Sequence, residues 1–447
     1  MEMNKIKKAV YLESLGCNKN TVDSEIILSI LNEAGYSITH NPGEASDIIV
    51  NTCAFIDEAK EESIDTILEL ARYKKRGTRL IVSGCLPQLY SREILESIPE
   101  VDAVVGVGDI SAVFDAVQRT NAQKDYPLSR NLNGGYREYQ QRTLFLTSPG
   151  SAYMKISEGC SRNCSFCLIP KIKGKMRSRR PFRIVEEAKM LEKNGVAELI
   201  ITSQDTLSYG DDLQAEGGLR SLMEMLLHET EIRMYRLLYL RPGKRLLENL
   251  GIFSHGRVAS YLDIPVQHVS KEVLRRMNRD GDYATYMDVV RTIRARLPEA
   301  VLRTTLIVGF PGEGSEDFDL LMKFVMEAEF DHLGVFTYSS QKGTNSYSMQ
   351  GAVSKETAEQ RKMSILAAQR HVSRSRLMKN IGKVFDVLVE ERVEGEKLYF
   401  GRSYHFAPEV DGTFVVRSDR RLNPGSIVQV LATSSDDYDL HGRLISP

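Results

Sequence analysis

Glu158-Gly159-Cys160-Ser161-Arg162-Asn163-Cys164-Ser165-Phe166-Cys167 holds three thiols in a C-x3-C-x2-C array. Three thiolates so spaced leave one iron of a cubane cluster without a protein partner. That iron is free to bind and activate a small molecule, whereas a cluster with four cysteine ligands mainly carries electrons. The spacing differs from the ferredoxin run, where a fourth Cys and a Pro follow, and from zinc sites built of two C-x2-C pairs. The competing reading is three buried structural cysteines. It is the weaker one, because a free Cys is usually kept for its reactivity and not for packing.

Downstream of the array, strand patterns alternate with helical ones. Strands are predicted at Ala152–Ser157, Glu198–Ser203, Met234–Leu240, Tyr261–Pro265, Leu302–Gly309 and Gly334–Tyr338, six β/α units that imply a partial (β/α)6 barrel. Right-handed crossovers gather the loops after the strands at one mouth, and the three cysteines lie in the first of those loops. Other polar residues follow later strands: Gln204, Asp205 and Tyr209 after the second, and Asp263, Gln267 and His268 around the fourth. Thr304, Thr305 and Gly309 lie on the fifth. Each is also readable as an ordinary loop or structural residue, the lone histidine above all. Phe166, between two of the cysteines, is placed to cover a cluster from water or simply to pack in a core.

Upstream, a unit recurs: Ala9-Val-Tyr-Leu-Glu-Ser-Leu-Gly-Cys17, Asp47-Ile-Ile-Val-Asn-Thr-Cys53 and Arg79-Leu-Ile-Val-Ser-Gly-Cys85. Each is a buried-strand pattern ending in Cys, and helical stretches at Ser24–Gly35 and Asp57–Tyr73 separate them. The β-α-β-α-β order predicts a parallel sheet with all three thiols at carboxyl ends, where open α/β sheets bind ligands. The separations match no short motif, and scattered core cysteines are the alternative. Repetition at the same strand position favours a second three-thiol cluster. Gly106-Val-Gly108 follows another short strand, but Ser111 stands where a dinucleotide fingerprint needs its third glycine.

The segment from Thr120 to Arg142 is polar and predicts a linker with a short hairpin. From Lys383 the helical period stops. Strands are predicted at Val384–Glu390, Leu398–Tyr404, Thr413–Arg417 and Ser426–Thr433, a small antiparallel β-barrel joined on by the basic helix Thr357–Lys379. The fold class is α/β in three parts: a parallel N-terminal domain at 1–120 and, past a linker at 121–145, a partial barrel at 146–376 and an OB-like barrel at 377–447.

The 447 residues carry 59 basic and 60 acidic side chains, so no global attraction to nucleic acid or membrane is expected. No segment reaches transmembrane length and no signal-peptide core begins the chain, which predicts a cytoplasmic protein without membrane contact. Six cysteines in a reducing compartment point to metal or redox chemistry and not to disulfides. The eight scattered histidines form no H-E-x-x-H helix, which disfavours a mononuclear hydrolytic zinc site. Seven basic residues fall between Lys171 and Arg183. They suit a carboxylate, a phosphate backbone or a solvated surface equally. From Ile381 to Pro447, eight Lys/Arg stand against eleven Asp/Glu, a formal charge of −3 that disfavours direct RNA binding. The acidic groups Glu390, Glu391, Glu394 and Glu396, and Asp436, Asp437 and Asp439, would attract a basic protein, or serve solubility alone.

Over essentially its whole length the chain resembles the radical S-adenosylmethionine methylthiotransferases. Ser14-Leu-Gly-Cys17-Asn-Lys-Asn-Thr-Val-Asp-Ser-Glu25, Gly174-Lys-Met-Arg-Ser-Arg179 and Gly401-Arg-Ser-Tyr-His-Phe-Ala-Pro-Glu-Val-Asp-Gly412 look like the branch that acts on a ribosomal protein. The resemblance implies a terminal TRAM barrel and two 4Fe-4S clusters, one on Cys17, Cys53 and Cys85, the other on Cys160, Cys164 and Cys167. It implies S-adenosylmethionine as cofactor, a low-potential electron donor, and methylthiolation of an aspartate β-carbon in the twelfth small-subunit ribosomal protein. Phe166, Gln204, Asp205, Tyr209, Gln267 and Thr305 are the candidate cofactor contacts. The rivals are the sister branch that modifies adenosine in transfer RNA, and a non-enzymatic zinc or electron-transfer protein.

Overall fold

The computed structural model describes residues 8–108, 110–118, 142–213 and 218–445. Most of the expected linker at 121–145 therefore lies outside the described residues. The chain divides into two compact units, one comprising Met1–Leu146, Ser157–Arg162 and Cys167–Glu187, the other Thr147–Ile156, Asn163–Phe166 and Ala188–Pro447.

The first unit begins β1 (Ala9–Ser14), α1 (Asn18–Glu33), β2 (Ser37–Ile38), β3 (Asp47–Thr52), α2 (Asp57–Ala71), β4 (Arg79–Gly84), α3 (Cys85–Ser97), β5 (Ala103–Val105) and α4 (Ser111–Gln118). Its sheet runs β2-β1-β3-β4-β5 with every pair parallel, as the recurring unit predicts. Alternation sorts the apolar residues to two faces. Ile48, Val50, Leu80 and Val82 pack with Ile67, Leu70 and Ile94 of α2 and α3, and Ile49 and Ile81 pack with Ile27, Leu31, Val113 and Val117 of α1 and α4. Helix α1 starts six residues before its expected N-terminus. Its first turn is polar and lacks apolar periodicity, yet Lys19, Asn20 and Asp23 are buried.

After β6 (Ser151–Lys155), which belongs to the second unit, the first unit continues with β7 (Ser157–Glu158), α5 (Ile169–Ile172), β8 (Arg177–Ser178) and the start of α6 (Pro181–Lys193). Strands β7 and β8 pair antiparallel, and Leu168 and Ile172 join the apolar core beside Cys85 and Leu86.

The second unit adds β9 (Glu198–Thr202), α7 (Leu219–Glu229), β10 (Met234–Leu237), α8 (Lys244–Glu248), β11 (Tyr261–Asp263), α9 (Lys271–Arg276), α10 (Tyr283–Arg296), β12 (Val301–Val308), α11 (Ser315–Ala328), β13 (His332–Thr337) and α12 (Lys355–Met378). The six expected strands are present as two parallel sheets, β6-β9-β10 and β11-β12-β13, with isolated parallel bridges between Tyr235 and Val258 and between Gln267 and Leu306. Register puts Tyr153, Lys155, Ile200, Thr202 and Arg236 on one face of the first sheet, and Asp263, Arg303, Thr305 and His332 on one face of the second. This face is polar. The opposite one carries fully buried Leu199, Ile201, Leu237, Leu302 and Leu306.

The C-terminal barrel is closed in the order β14 (Val384–Arg392), β15 (Leu398–Arg402), β16 (Phe414–Arg417), β18 (Leu440–Leu444), β17 (Ile427–Ser435). The expected small antiparallel barrel is present, with four antiparallel pairings and one parallel one, between β16 and β18. Strand β18 is absent from the sequence reading, since Leu440-His-Gly-Arg-Leu444 has too few apolar residues to stand out. Phe385, Val387, Tyr399, Phe414, Val416 and Val430 fill the interior, with Leu377 of α12 against them. Buried ion pairs join this barrel to the strands of the same unit: Glu198 accepts from Arg236 at 2.7 Å and lies 2.8 Å from Arg402, which also reaches Glu390 at 2.9 Å. Among the described residues, no helix is long and apolar enough to cross a membrane.

Candidate functional site

Cys53 and Cys85 are the residues directly after β3 and β4, and Cys17 follows β1 by three positions. These strands are neighbours in the sheet, so the thiols stand at the same carboxyl edge about one strand spacing apart. Gly16 makes the approach possible. It adopts φ +90°, and a Cβ there would lie 2.6 Å from Cβ of Cys53. Two buried asparagines lock the turns: Asn20 Nδ2 donates to the Leu15 and Thr52 carbonyls at 3.0 and 2.9 Å, and Asn51 Nδ2 donates to the Asn20 carbonyl and Ser24 Oγ at 3.0 and 2.9 Å. The Cys53 N–H donates to Ser63 Oγ at 3.1 Å.

Burial pushes the Cys85 thiol up to about 12, with the charge of Lys173 working against it and those of Cys53 and Cys17 adding to it. Burial raises Cys53 as well. The two buried thiols, Cys53 and Cys85, hold their protons until a cation replaces them, Cys17 is exposed beside them, and soft sulfur donors select iron–sulfur chemistry. The donor set therefore fits a cluster. Lys173 is buried between Asp23 at 3.5 Å and Glu158 at 3.4 Å. Arg179 is equally internal, 2.6 Å from Glu187. The basic run is thus partly structural, which its charge pattern alone does not reveal. Asn20, Asn51, Ser63 and Lys173 are site residues that sequence reasoning missed. The only available signal was polar residues inside otherwise apolar α/β units.

Cys160, Cys164 and Cys167 lie on the irregular segment between β7 and α5, each half-buried. Gly159 (φ +76°) begins it so tightly that a Cβ would sit 2.4 Å from the Lys175 carbonyl oxygen. The Cys160 N–H donates to the Gly174 carbonyl at 3.1 Å, and the Arg162 N–H points at Cys160 Sγ from 3.4 Å. In the second unit, Ser165 donates from N to the Met277 carbonyl at 3.0 Å and from Oγ to the Arg276 carbonyl at 2.8 Å, while Arg279 Nη1 lies 4.0 Å from Cys164 Sγ. N–H groups directed at thiolate sulfur are among the levers that set a cluster's potential. No three His, Cys, Asp or Glu side chains among the described residues gather tightly enough for a single metal ion.

The candidate cofactor residues divide. Gln267 sits at φ +72°, its N–H donating to the Thr305 carbonyl at 2.8 Å and its carbonyl accepting from Ile307 N–H at 2.7 Å, so it rides on β12 beside Thr305. Asp205 is buried and accepts from Ser208 Oγ at 2.8 Å; Gln204 is half-buried. Tyr209 is wholly enclosed, and Phe166 stacks edge-on against Phe310 at 6.5 Å. His268 is buried, its Nδ1 accepting from Ser270 N–H at 3.0 Å, and burial lowers it to about 4, so it is neutral and structural. Thr304 donates to the Ile264 carbonyl at 2.8 Å.

Residues 9–106 match the uncharacterized protein family UPF0004, 154–325 the Radical SAM superfamily and 381–445 the TRAM domain. The fold is similar to that of the radical S-adenosylmethionine methyltransferase TsrM from Kitasatospora setae, solved with cobalamin and a 4Fe-4S cluster bound (TM-score 0.57, 14% identity, 76% of this chain and 77% of that chain). A C-x3-C-x2-C loop beside the first of six parallel strands, with these matches, defines a radical S-adenosylmethionine enzyme. Ribosomal protein uS12 methylthiotransferase RimO of Thermoanaerobacter sp. (strain X514) is 41% identical over 98% of this chain and 100% of its own, and that of Pelotomaculum thermopropionicum is 43% identical over 97% and 98%. The chain belongs to this methylthiotransferase family.

Proposed function

We propose that the protein installs a methylthio group on the β-carbon of an aspartate in ribosomal protein uS12, in the cytoplasm, with two S-adenosylmethionine molecules used per product. The observation that carries the reading is the second thiol trio: Cys17, Cys53 and Cys85 after three adjacent parallel strands, in addition to Cys160, Cys164 and Cys167. Each trio would hold a 4Fe-4S cluster with one iron open. A cluster held by Cys160, Cys164 and Cys167 would supply the electron for cleaving the sulfonium carbon–sulfur bond, and one held by Cys17, Cys53 and Cys85 would carry or donate the inserted sulfur. A radical route is needed because an unactivated C–H has no acidity that a general base near neutral pH can exploit.

In this reading residues 1–120 handle sulfur and 146–376 handle the radical step, with 121–145 between them and 377–447 docking the substrate. Gln204, Asp205, Gln267 and Thr305 hold S-adenosylmethionine at the strand ends, while Tyr209 and Phe166 exclude water around them. Exposed Glu391, Glu394 and Glu396 of the C-terminal barrel attract a basic ribosomal protein more readily than RNA. A low-potential donor supplies electrons.

The test is an anaerobic assay of the reconstituted protein with S-adenosylmethionine and a strong reductant, offering uS12 and transfer RNA separately. A methylthio mass increase on an aspartate of uS12 is the expected result. The same increase on an RNA adenosine moves the chain to the sister activity, and no cleavage of S-adenosylmethionine overturns the reading.

A further inference from the structure

Asp411 stands on the loop between β15 and β16 of the C-terminal barrel, 1% exposed, and meets four groups. Its Oδ1 lies 3.3 Å from Arg303 Nε and 3.8 Å from His332 Nδ1, and its Oδ2 accepts from Tyr261 Oη at 2.6 Å and from Ala407 N–H at 2.8 Å. Three of these partners belong to β11, β12 and β13. Arg303 then extends the connection with Nη1, which donates to Asp263 Oδ1 at 3.0 Å and to Thr305 Oγ1 at 3.3 Å. The other oxygen of Asp263 accepts from Tyr239 N–H at 3.0 Å, and the Tyr239 carbonyl accepts from Thr206 N–H at 3.1 Å, the residue after Asp205. On the other branch, the Thr305 carbonyl accepts from Gln267 N–H.

A continuous hydrogen-bonded path thus runs from one carboxylate of the C-terminal barrel to the segments that carry Asp205, Gln267 and Thr305. Tyr239 and Gln267 both occupy positive φ, at 61° and 72°, so these turns are held in a backbone region that side-chain-bearing residues adopt only under constraint. Arg303 suits the junction because one planar guanidinium donates in two directions, to carboxylates on opposite sides.

We propose that Asp411 is a positioning residue for S-adenosylmethionine: through Arg303 it fixes Asp263 and Thr305, and with them the turns at Tyr239 and Gln267 from which the cofactor contacts project. The C-terminal barrel is then part of the cofactor site's support as well as a docking element. The inference rests on the proposed assignment of Asp205, Gln267 and Thr305 to the cofactor.

The experiment is equilibrium binding of radiolabelled S-adenosylmethionine to the full-length, cluster-reconstituted, oxidised protein, with 5′-deoxyadenosine formation measured separately after reduction. Asp411→Asn keeps an acceptor for Tyr261 and Ala407 but removes the charge facing Arg303. It is expected to weaken cofactor binding about tenfold and to raise KM more than it lowers kcat, with iron content and cluster absorption unchanged. Lys383→Met breaks a different contact of the same barrel, the 2.7 Å pair with Glu299, and is expected to bind cofactor like the parent. The double variant Asp411→Asn/Arg303→Gln is expected to be no worse than Arg303→Gln alone. Unchanged affinity in Asp411→Asn well below its melting temperature overturns the inference, as does strict additivity in the double variant. If the Asn variant does not fold, Arg303→Lys, whose single ammonium cannot span both carboxylates, carries the same expectation. A parent protein that binds no S-adenosylmethionine would instead sink the cofactor assignment itself.

Discussion

Arg402 of the C-terminal barrel places Nη1 2.8 Å from Oε2 of Glu198, the first residue of a central strand, with both side chains at most 3% exposed. Burial works against the Glu198 charge, but Arg402 and Arg236 together hold its carboxyl below the usual carboxylate range. Glu198→Gln leaves two guanidiniums buried without their shared counter-charge and is expected to cost about 3–5 kcal/mol, read as a lower urea midpoint. A carboxylate lowered by folding contributes stability above its unfolded pKa and loses it as pH falls through the folded value. The parent should therefore shed this contribution only below about pH 4, and the Gln variant should lack that acid limb.

A second pH dependence has the opposite origin. Burial lowers His405 to about 3, with His332 and Lys383 adding to the effect, and its Nδ1 has no hydrogen-bond partner among the described residues. The unfolded chain binds a proton near pH 6.5 that the folded one refuses, so stability falls as pH drops below 6.5 and levels off near the folded value. The loss is on the order of 5 kcal/mol. His405→Phe keeps a ring for the edge-on contact with Phe385 and should flatten this limb without loss at pH 7, as followed by thermal melts at pH 7, 6 and 5.

Gly16→Ala forces a Cβ against Cys53 and strains a positive φ. If each trio holds a cluster as proposed, bound iron should fall by roughly half. Formation of 5′-deoxyadenosine should persist while the methylthio product disappears, as it should for Cys17→Ala. Cys160→Ala should abolish cofactor cleavage outright. Equal loss of both activities in folded Cys17→Ala and Cys160→Ala would contradict the division of labour between the two trios.

Charge reversal at Glu391, Glu394 and Glu396, all exposed, tests the docking role of the C-terminal barrel. Replacement by lysine should weaken uS12 binding about tenfold at low salt, chiefly through a slower on-rate, and leave cofactor cleavage intact. Unchanged uS12 binding with altered RNA binding would assign the surface to nucleic acid.

Local chemistry and the repeated parallel units announced themselves in the sequence, and remote side-chain partners did not. The strands ending at Cys53 and Cys85 were legible because Ile-Ile-Val and Leu-Ile-Val runs mark strands buried on both faces, and the cysteine after each shares one position. The early start of α1 was hidden because Asn20 and Asp23 are polar, and only the turn that Asn20 braces and the pairing of Asp23 with Lys173 explain why they are buried. Lys173 looked like part of a basic surface, since a run of charge does not say which member will find a carboxylate 150 residues away. Asp411 and Arg303 are similarly remote, 108 residues apart. Strand β18 was missed because Leu440-His-Gly-Arg-Leu444 is too poor in apolar residues to read as the second arm of the hairpin it forms with β17, and its parallel pairing with β16 has no local signal.

Leu168 and Ile172 complete the apolar core that also contains Leu86 and Cys85, although they follow Cys160, Cys164 and Cys167 in the chain. The N-terminal fold is therefore not a cassette that recombination can lift out at a single cut. A gene fragment ending at the limit of the UPF0004 match would encode a sheet with part of its wall missing. Any lineage that exchanged the N-terminal sheet for a foreign one would have to carry the segment after the loop cysteines along with it, so the two halves of this chemistry are expected to be inherited together.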